Sequence, residues 1–259
     1  MADIRVQEHT YNSIIEDSIH REIKNKYNKK SSRTSDSDFT QTENFEEAVK
    51  FAKEGWDLGL EQYKIEDGVL SSGTTILSPS LAGCIPHVQN HIMGFPQEMY
   101  QLFDDREYNL PTLDVIVNLG YSGSTDSEDT LEFGKCLVNY INTMASNYNI
   151  RLTGVFAVKQ GSINDYDIVY LKKFDETLVI NNIAFALHPS FFRRIWFGIA
   201  ESKEYLSSGY GKAIKTDYHK VVMDKLGSES DKTIVFKCLE DLNNFKFTPD
   251  NIEGVTIKI

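Results

Sequence analysis

Apolar residues along this chain recur at helical spacing in some segments and as short unbroken runs in others. Residues 1–28 carry a weak helical pattern, with Ile14, Ile15, Ile19 and Ile23 near every fourth position and charges between them. Residues 29–42, KKSSRTSDSDFTQT, interrupt it with the Ser/Thr/Asp composition of a linker. We therefore expect a detachable N-terminal helical arm and polar linker over 1–42, then a single domain over 43–259. From Phe45 to Tyr63, the stripe Phe45, Ala48, Val49, Ala52, Trp56, Leu60 and Tyr63 predicts an amphipathic helix. Thr42 or Asn44 can cap it, and Glu46 and Glu47 suit its positive end. Gly55 and Gly59 are unusual inside a helix. Either a neighbour approaches closely there, or the helix ends at one of them.

Residues 64–112 read as an irregular lead-in, with a possible short strand at Thr74–Leu77 and prolines at 86, 96 and 111 that forbid long helices. The pattern then sharpens. DVIVNL, Asp114–Leu119, is β-branched and nearly continuous in apolarity, as in a strand covered on both faces. GYSGST, 120–125, is a loop. Phe133, Leu137, Tyr140, Ile141 and Met144 mark a helix from Asp126 to about Ser146, with Asp126, Glu128 and Asp129 at its positive end. RLTGVFAV, 151–158, is the next strand, which completes a βαβ unit and implies parallel pairing. Further strands are expected at Asp167–Leu171, Thr233–Leu239 and Val255–Ile259, with a short turn of helix at 248–250. Two helices, Leu178–Leu187 and Pro189–Tyr205, meet at His188-Pro189. The fold class is α/β, a mostly parallel sheet flanked by helices.

Composition narrows the function. The apolar share of 41% is enough for a real core, while a formal net charge of −11 argues against nucleic acid as a partner, because phosphate binding needs a basic surface. Cys84, Cys136 and Cys238 are odd in number and widely spaced, so no disulfide framework is expected. The first residues lack a signal-peptide pattern, and no run of 18 apolar residues occurs, so we expect no membrane association and a cytosolic setting.

The candidate chemistry centres on the loop after Asp114–Leu119, because ligands of open parallel sheets bind at strand carboxyl ends. Asn118, Tyr121, Ser122, Ser124 and Asp126 are the expected binding residues there. The layout resembles the metal-binding loop of von Willebrand factor A domains, where Asp-x-Ser-x-Ser follows the first strand and holds Mg²⁺ through hard oxygen ligands. Here the Asp is Asn118 and the first Ser is Gly120. Ser122, Ser124 and Asp126 are what remains for a metal, and the neutral amide weakens Mg²⁺ binding. No cofactor is expected. The plainer reading is a structural strand-to-helix turn. Cys84, His87 and His91 are spaced like zinc ligands but lack a local fourth partner, so ordinary packing is the simpler account. Arg193-Arg194 beside Phe191, Phe192 and Trp196 can stack or bind an anion, or simply alternate between core and surface on a helix. No GxSxG, HExxH, SxxK or catalytic DxD signature is read, which favours a protein without catalysis.

FEEAVKFAKEGWDLGL, LAGCIPHVQNHIMGFPQEMY, VIVNLGYSGS, IAFALHPSFFRRIWF and SGYGKA occur in that order. The series resembles a domain of unknown function from bacteriophages and mobile elements, over Phe39 to the C-terminus. That resemblance implies a phage-encoded protein of the host cytoplasm and transfers no catalytic residues. The expectation is a von Willebrand A-like interaction module that binds a protein partner through the 118–126 loop or its acidic surface. The alternatives are an enzyme, or a nucleotide- or metal-responsive protein, using the same strand-end cleft, and a virion component or assembly factor.

Overall fold

The computed structural model describes residues 3–22, 24, 30–56, 75–80, 85–86, 91–92, 99–104, 110–121, 125–145, 147–206, 209–214, 217–227 and 230–236. The chain opens with strand β1 (Asp3–Thr10) and helix α1 (Tyr11–His20), where a helical arm was expected. Thr10 ends the strand and starts the helix: its side chain accepts from Ser13 N–H while Ser13 Oγ accepts from Thr10 N–H, a reciprocal cap. Two single turns follow, α2 (Ser31–Thr34) and α3 (Ser37–Thr40), then helix α4 (Phe45–Glu54). Asn44 caps α4 by accepting from Glu47 N–H at 2.8 Å, and Gly55, at φ +98°, ends it. The expected continuation past Trp56, with Gly59, lies outside the described residues.

Strands β2 (Thr75–Ser80), β3 (Ile85–Pro86) and β4 (Met99–Asp104) form a small antiparallel sheet in order β2-β4-β3, a more regular arrangement than the lead-in expected there. The main sheet contains β1, β5 (Thr112–Asn118), β6 (Asn149–Gln160), β7 (Ile163–Lys172) and β9 (Lys232–Phe236) in order β1-β7-β6-β5-β9. β8 (Lys212–Ala213) joins alongside β6. β5 pairs in parallel with both β6 and β9, and β1 with β7, while β6 and β7 are an antiparallel hairpin. The predicted βαβ unit is thus β5, helix α5 (Ser127–Met144) and β6. The expected helix at 178–187 is α6 (Ile180–Ala186). The helix expected at 189–205 is instead a π-helical turn (Phe191–Trp196) continuing into α7 (Phe197–Glu201). Helix α8 (Tyr218–Leu226) completes the described elements. The turn expected at 248–250 and the strand at 255–259 lie outside them.

Helices cover the sheet on both faces, so β5 is buried from Leu113 to Asn118, as its apolar run requires. Leu113, Val115 and Val117 pack with α1, α4, α5, α6, the π turn and α7, whereas Ile116 faces Tyr218, Val222 and Leu226 of α8. Asp114 on that second face is paired by Arg151, with Nε 2.6 Å and Nη2 2.8 Å from its two oxygens. Residues 3–20 belong to the same body: β1 extends the sheet, and Ile14 and Ile15 are fully enclosed in the main core.

Residues 30–42, read as a linker, wrap two buried charges. Arg194 is fully buried, and its Nε donates to Thr42 Oγ1 at 2.7 Å. Its Nη2 reaches the Thr42 carbonyl at 2.7 Å and Thr40 Oγ1 at 3.0 Å. Glu201, also fully buried, accepts from Ser32 N–H and Ser32 Oγ at 2.8 and 2.6 Å, and from Tyr210 OH at 2.7 Å. Linker composition and strap composition coincide, because the same hydroxyls that favour water also satisfy buried charge.

A second buried network pins the helical layer to the sheet. Asp165 and Asp167, two apart on β7, point to one face. Lys203, which follows α7, places Nζ 2.7 Å from Asp165 Oδ2 and 2.6 Å from Asp167 Oδ2. Trp196 Nε1 donates to Asp167 and Tyr205 OH to Asp165, both at 2.7 Å. His9 Nε2 stands 3.6 Å from Asp167 Oδ1, beyond hydrogen-bond reach. Burial alone would raise both carboxyls. For Asp167 the Lys203 charge and the surrounding donors outweigh it, holding the group at about 2, while for Asp165 burial and the neighbouring Asp167 charge leave the group raised. Lys203→Met leaves two carboxylates sealed from water, so we expect a loss of about 3–5 kcal/mol in urea unfolding. A loss below about 1 kcal/mol would mean that the other donors suffice alone.

His188 makes a separate prediction. It packs edge-on to Trp56 at 4.3 Å and stacks on Phe185, while its Nδ1 accepts from Ser190 N–H at 3.2 Å. Burial depresses it from 6.5 to about 3, so only the unfolded chain takes up this proton between those values. Its contribution to stability is complete above about pH 6.5 and is lost as pH falls through about 3. His188→Asn, which keeps an acceptor, should flatten the decline in unfolding free energy between neutral and acid pH. Parallel wild-type and variant curves would refute the assignment.

Candidate functional site

β5 stops at Asn118, and its amide is used from both ends. Oδ1 accepts from Gly120 N–H at 3.0 Å, and Nδ2 donates to the Ile214 carbonyl at 3.3 Å. β8 lies beside β6 where β5 has ended, with Val158 opposite Ala213 and Lys159 opposite Lys212. Ile214 N–H donates to the Ala157 carbonyl at 2.8 Å. Asn118 therefore ties the end of β5 to the incoming β8 segment. An Asp could accept from Gly120 but not donate to Ile214. This is a local reason for an amide where a metal loop would carry a carboxylate.

Gly120 and Tyr121 form one wall of a cleft at the carboxyl ends of β5 and β6. Its volume is about 210 Å³, and Phe192, Arg193, Phe197 and Tyr210 line it as well. A shallower depression of about 470 Å³ continues outward past Gly209–Gly211 to Lys159 and Lys212. Gly211, at φ +79°, lies so close to β6 that a Cβ would come within 3.1 Å of Val158 Cβ. A side chain there would push the segment off the sheet. Tyr210 is fixed by stacking on Phe197 at 3.7 Å, by its bond to Glu201, and by accepting from Ser31 N–H at 3.2 Å.

The π turn sets the remaining wall. The wider turn, a feature common at functional sites, buries Phe191, Phe192, Arg194, Ile195 and Trp196 and leaves Arg193 half-buried. Arg193 and Arg194 diverge: the latter enters the Ser/Thr strap, while the former lines the cleft. Phe39, Phe197 and Phe192 lie 4.8, 5.2 and 5.5 Å from the Arg193 guanidinium carbon by ring centroid. Tyr121 packs on Phe192 at 4.4 Å and its OH reaches towards the Pro189 carbonyl at 3.4 Å. Burial raises the Tyr121 phenol, partly opposed by the Arg193 charge, so it stays a neutral donor near neutral pH.

A family model described as a domain of unknown function, DUF7192, matches residues 3–248. The chain belongs to this family. No curated protein and no solved structure is a significant match to it.

Of the loop residues expected to bind in this DUF7192 protein, Tyr121 lines the cleft and Asn118 holds Gly120 in its wall. Asp126 precedes α5, where its carbonyl accepts from Thr130 N–H and Oγ1 and its carboxylate makes no cap. Ser122 and Ser124 lie outside the described residues, as do Cys84, His87 and Cys238; His91 is exposed. Among the described residues, no three His, Cys, Asp or Glu side chains converge as metal ligands. The DUF7192 chain does carry an Asp-x-Asp, Asp165 and Asp167, that the motif reading passed over. Strand periodicity puts both on one face, but Lys203 arrives from distant sequence and no spacing rule announces it. The trio is sealed, with side chains at most 2% exposed, so it works as a structural pin. Among the described residues, no helix is long and apolar enough to cross a membrane.

Asn118→Asp tests the tie at the end of β5. It sets a carboxylate oxygen against the Ile214 carbonyl, and we expect a loss of about 1–3 kcal/mol in urea unfolding at neutral pH. Wild-type stability in this variant would show that the Nδ2 bond contributes nothing.

Proposed function

We propose that this DUF7192 protein is a non-catalytic recognition module with a von Willebrand A-like core, which binds a protein partner at the strand-end cleft beside Tyr121. The observation that carries the reading is the cleft lining: aromatic rings and one guanidinium on rigid elements. That chemistry suits binding, since aromatic and Arg side chains dominate the energetic centres of protein interfaces. Among the described residues that line it, no nucleophile stands beside a base. The von Willebrand A-like reading is supported by position, because the loop that starts at Asn118 leaves a central, doubly covered parallel strand at its carboxyl end. The use of both ends of the Asn118 amide in the fold supports recognition without a metal ion. A phage-encoded protein of the host cytoplasm is part of the same proposal and rests on the ordered motifs alone.

A photo-crosslinking residue at Tyr121 tests the reading, with the same residue at the exposed Lys220 on α8 as control. In native source cells we expect a discrete protein adduct from position 121, unchanged by a chelator, and none from 220. Absence of an adduct at 121, or equal adducts from both positions, would overturn it.

A further inference from the structure

We propose that the cleft takes a single carboxylate from an acidic segment of the partner, anchored on the Arg193 guanidinium; this rests on the recognition reading above. The first support is an unused donor. Arg193 Nε is buried and meets no hydrogen-bond acceptor. The fully or nearly fully buried cations behave differently. Arg151 is paired with Asp114, Lys203 with Asp165 and Asp167, Arg194 is spread over hydroxyls and carbonyls, and Lys172 donates to two carbonyls. A buried polar group without a partner is costly, so an acceptor brought by a ligand has a large advantage there. Aromatic rings lie against the guanidinium, and Arg193 lines the cleft. A guanidinium matches a carboxylate with two parallel N–H···O bonds.

The second support is independent. Lys159 and Lys212 are direct cross-strand partners on β6 and β8, both exposed, at the mouth of the outer depression. Like charges opposite one another on a sheet destabilise it, and an anionic segment lying across them removes that cost. Three cations thus line one continuous groove, in a chain whose net charge is −11. A monoanion fits better than a phosphate. Among the described residues, Arg193 is the one charged side chain lining the inner pocket, which matches a single negative charge. Carboxylates one or two positions away along an extended segment would meet the lysines.

The test is fluorescence anisotropy with a labelled short peptide of alternating Glu and Gly, its Gln counterpart, and free glutarate as competitor. We expect the Glu peptide to bind and the Gln peptide not to. Arg193→Gln should weaken binding roughly 10- to 100-fold, the loss of a charged hydrogen-bonded pair, with Arg193→Lys intermediate. Circular dichroism and thermal melting establish that each variant is folded. Lys212→Glu, on the surface, should weaken binding without lowering the melt, since it replaces a like-charge cross-strand pair with an opposite-charge one, so the proposal can fail even if Arg193→Gln does not fold. Equal binding of both peptides, no binding of either, or wild-type affinity in Arg193→Gln or Lys212→Glu would overturn it. Binding of glutarate without the Glu peptide would overturn the protein segment as the source. If the adduct at position 121 persists while the peptide fails, the carboxylate assignment falls and the recognition reading stands. Loss of the adduct removes the recognition reading itself.

Discussion

The Lys203 ammonium, enclosed between Asp165 and Asp167, is the constraint on which the arrangement of helices over the sheet depends. Removing these charges from water is expensive, and only short, well-directed contacts offset it. Those contacts have one geometry. Lys203 lies just beyond α7, Trp196 closes the π turn, and both are bonded to carboxylates on β7. Sliding the helical layer by one residue along the sheet would break all of them together. A purely apolar interface would tolerate such a slip at smaller cost, since hydrophobic contact is not directional. The polar pin therefore sets register, and the apolar core around Phe156, Phe191 and Trp196 supplies the bulk of the stabilisation.

From that register the cleft follows. With Trp196 held at β7, the preceding turn of the π helix falls over the carboxyl end of β6, and Phe156 stacks on Phe192 at 5.8 Å. Arg194 must then face residues 32–42 and Arg193 the open side. The strap and the cleft are two sides of one wide turn. Weakening the strap would loosen the cleft wall as well, because Phe39 belongs to the strap and packs on both Arg193 and Tyr121.

The parts that were legible in the sequence are those whose pattern is set by a single element. DVIVNL is a strand because both its faces are covered, and the stripe from Phe133 to Met144 is a helix because one of its faces is. Their pairing followed from the short βαβ connection. The misread parts depend on partners far away in sequence. β1 lies over a hundred positions from β7, so nothing local marks residues 3–10 as a strand. The antiparallel return of β7 turns at Gly161, at φ +60°, a position the sequence reading did not use. Asp165 and Asp167 read as solvent-facing positions unless Lys203 is known to meet them. At the site, the sequence located the strand-end loop, and the Arg193-Arg194 pair with its aromatic neighbours, as separate features. Only the fold puts Tyr121 and Arg193 on one cleft.

That juxtaposition changes what the neutral residue at 118 means. Judged alone, Asn118 looks like a metal loop that has lost its charge. In the folded chain the amide holds Gly120 and Ile214, and Arg193 brings a positive charge to the cleft beside it. A carboxylate at 118 would break the tie to β8 and also set a negative charge against any anion drawn to the guanidinium. A neutral side chain at the strand end and a cation on the opposing turn are therefore mutually consistent, whereas a metal ion would need the opposite arrangement. Among the described residues that line the cleft none is acidic, and this is the electrostatic basis of the carboxylate proposal.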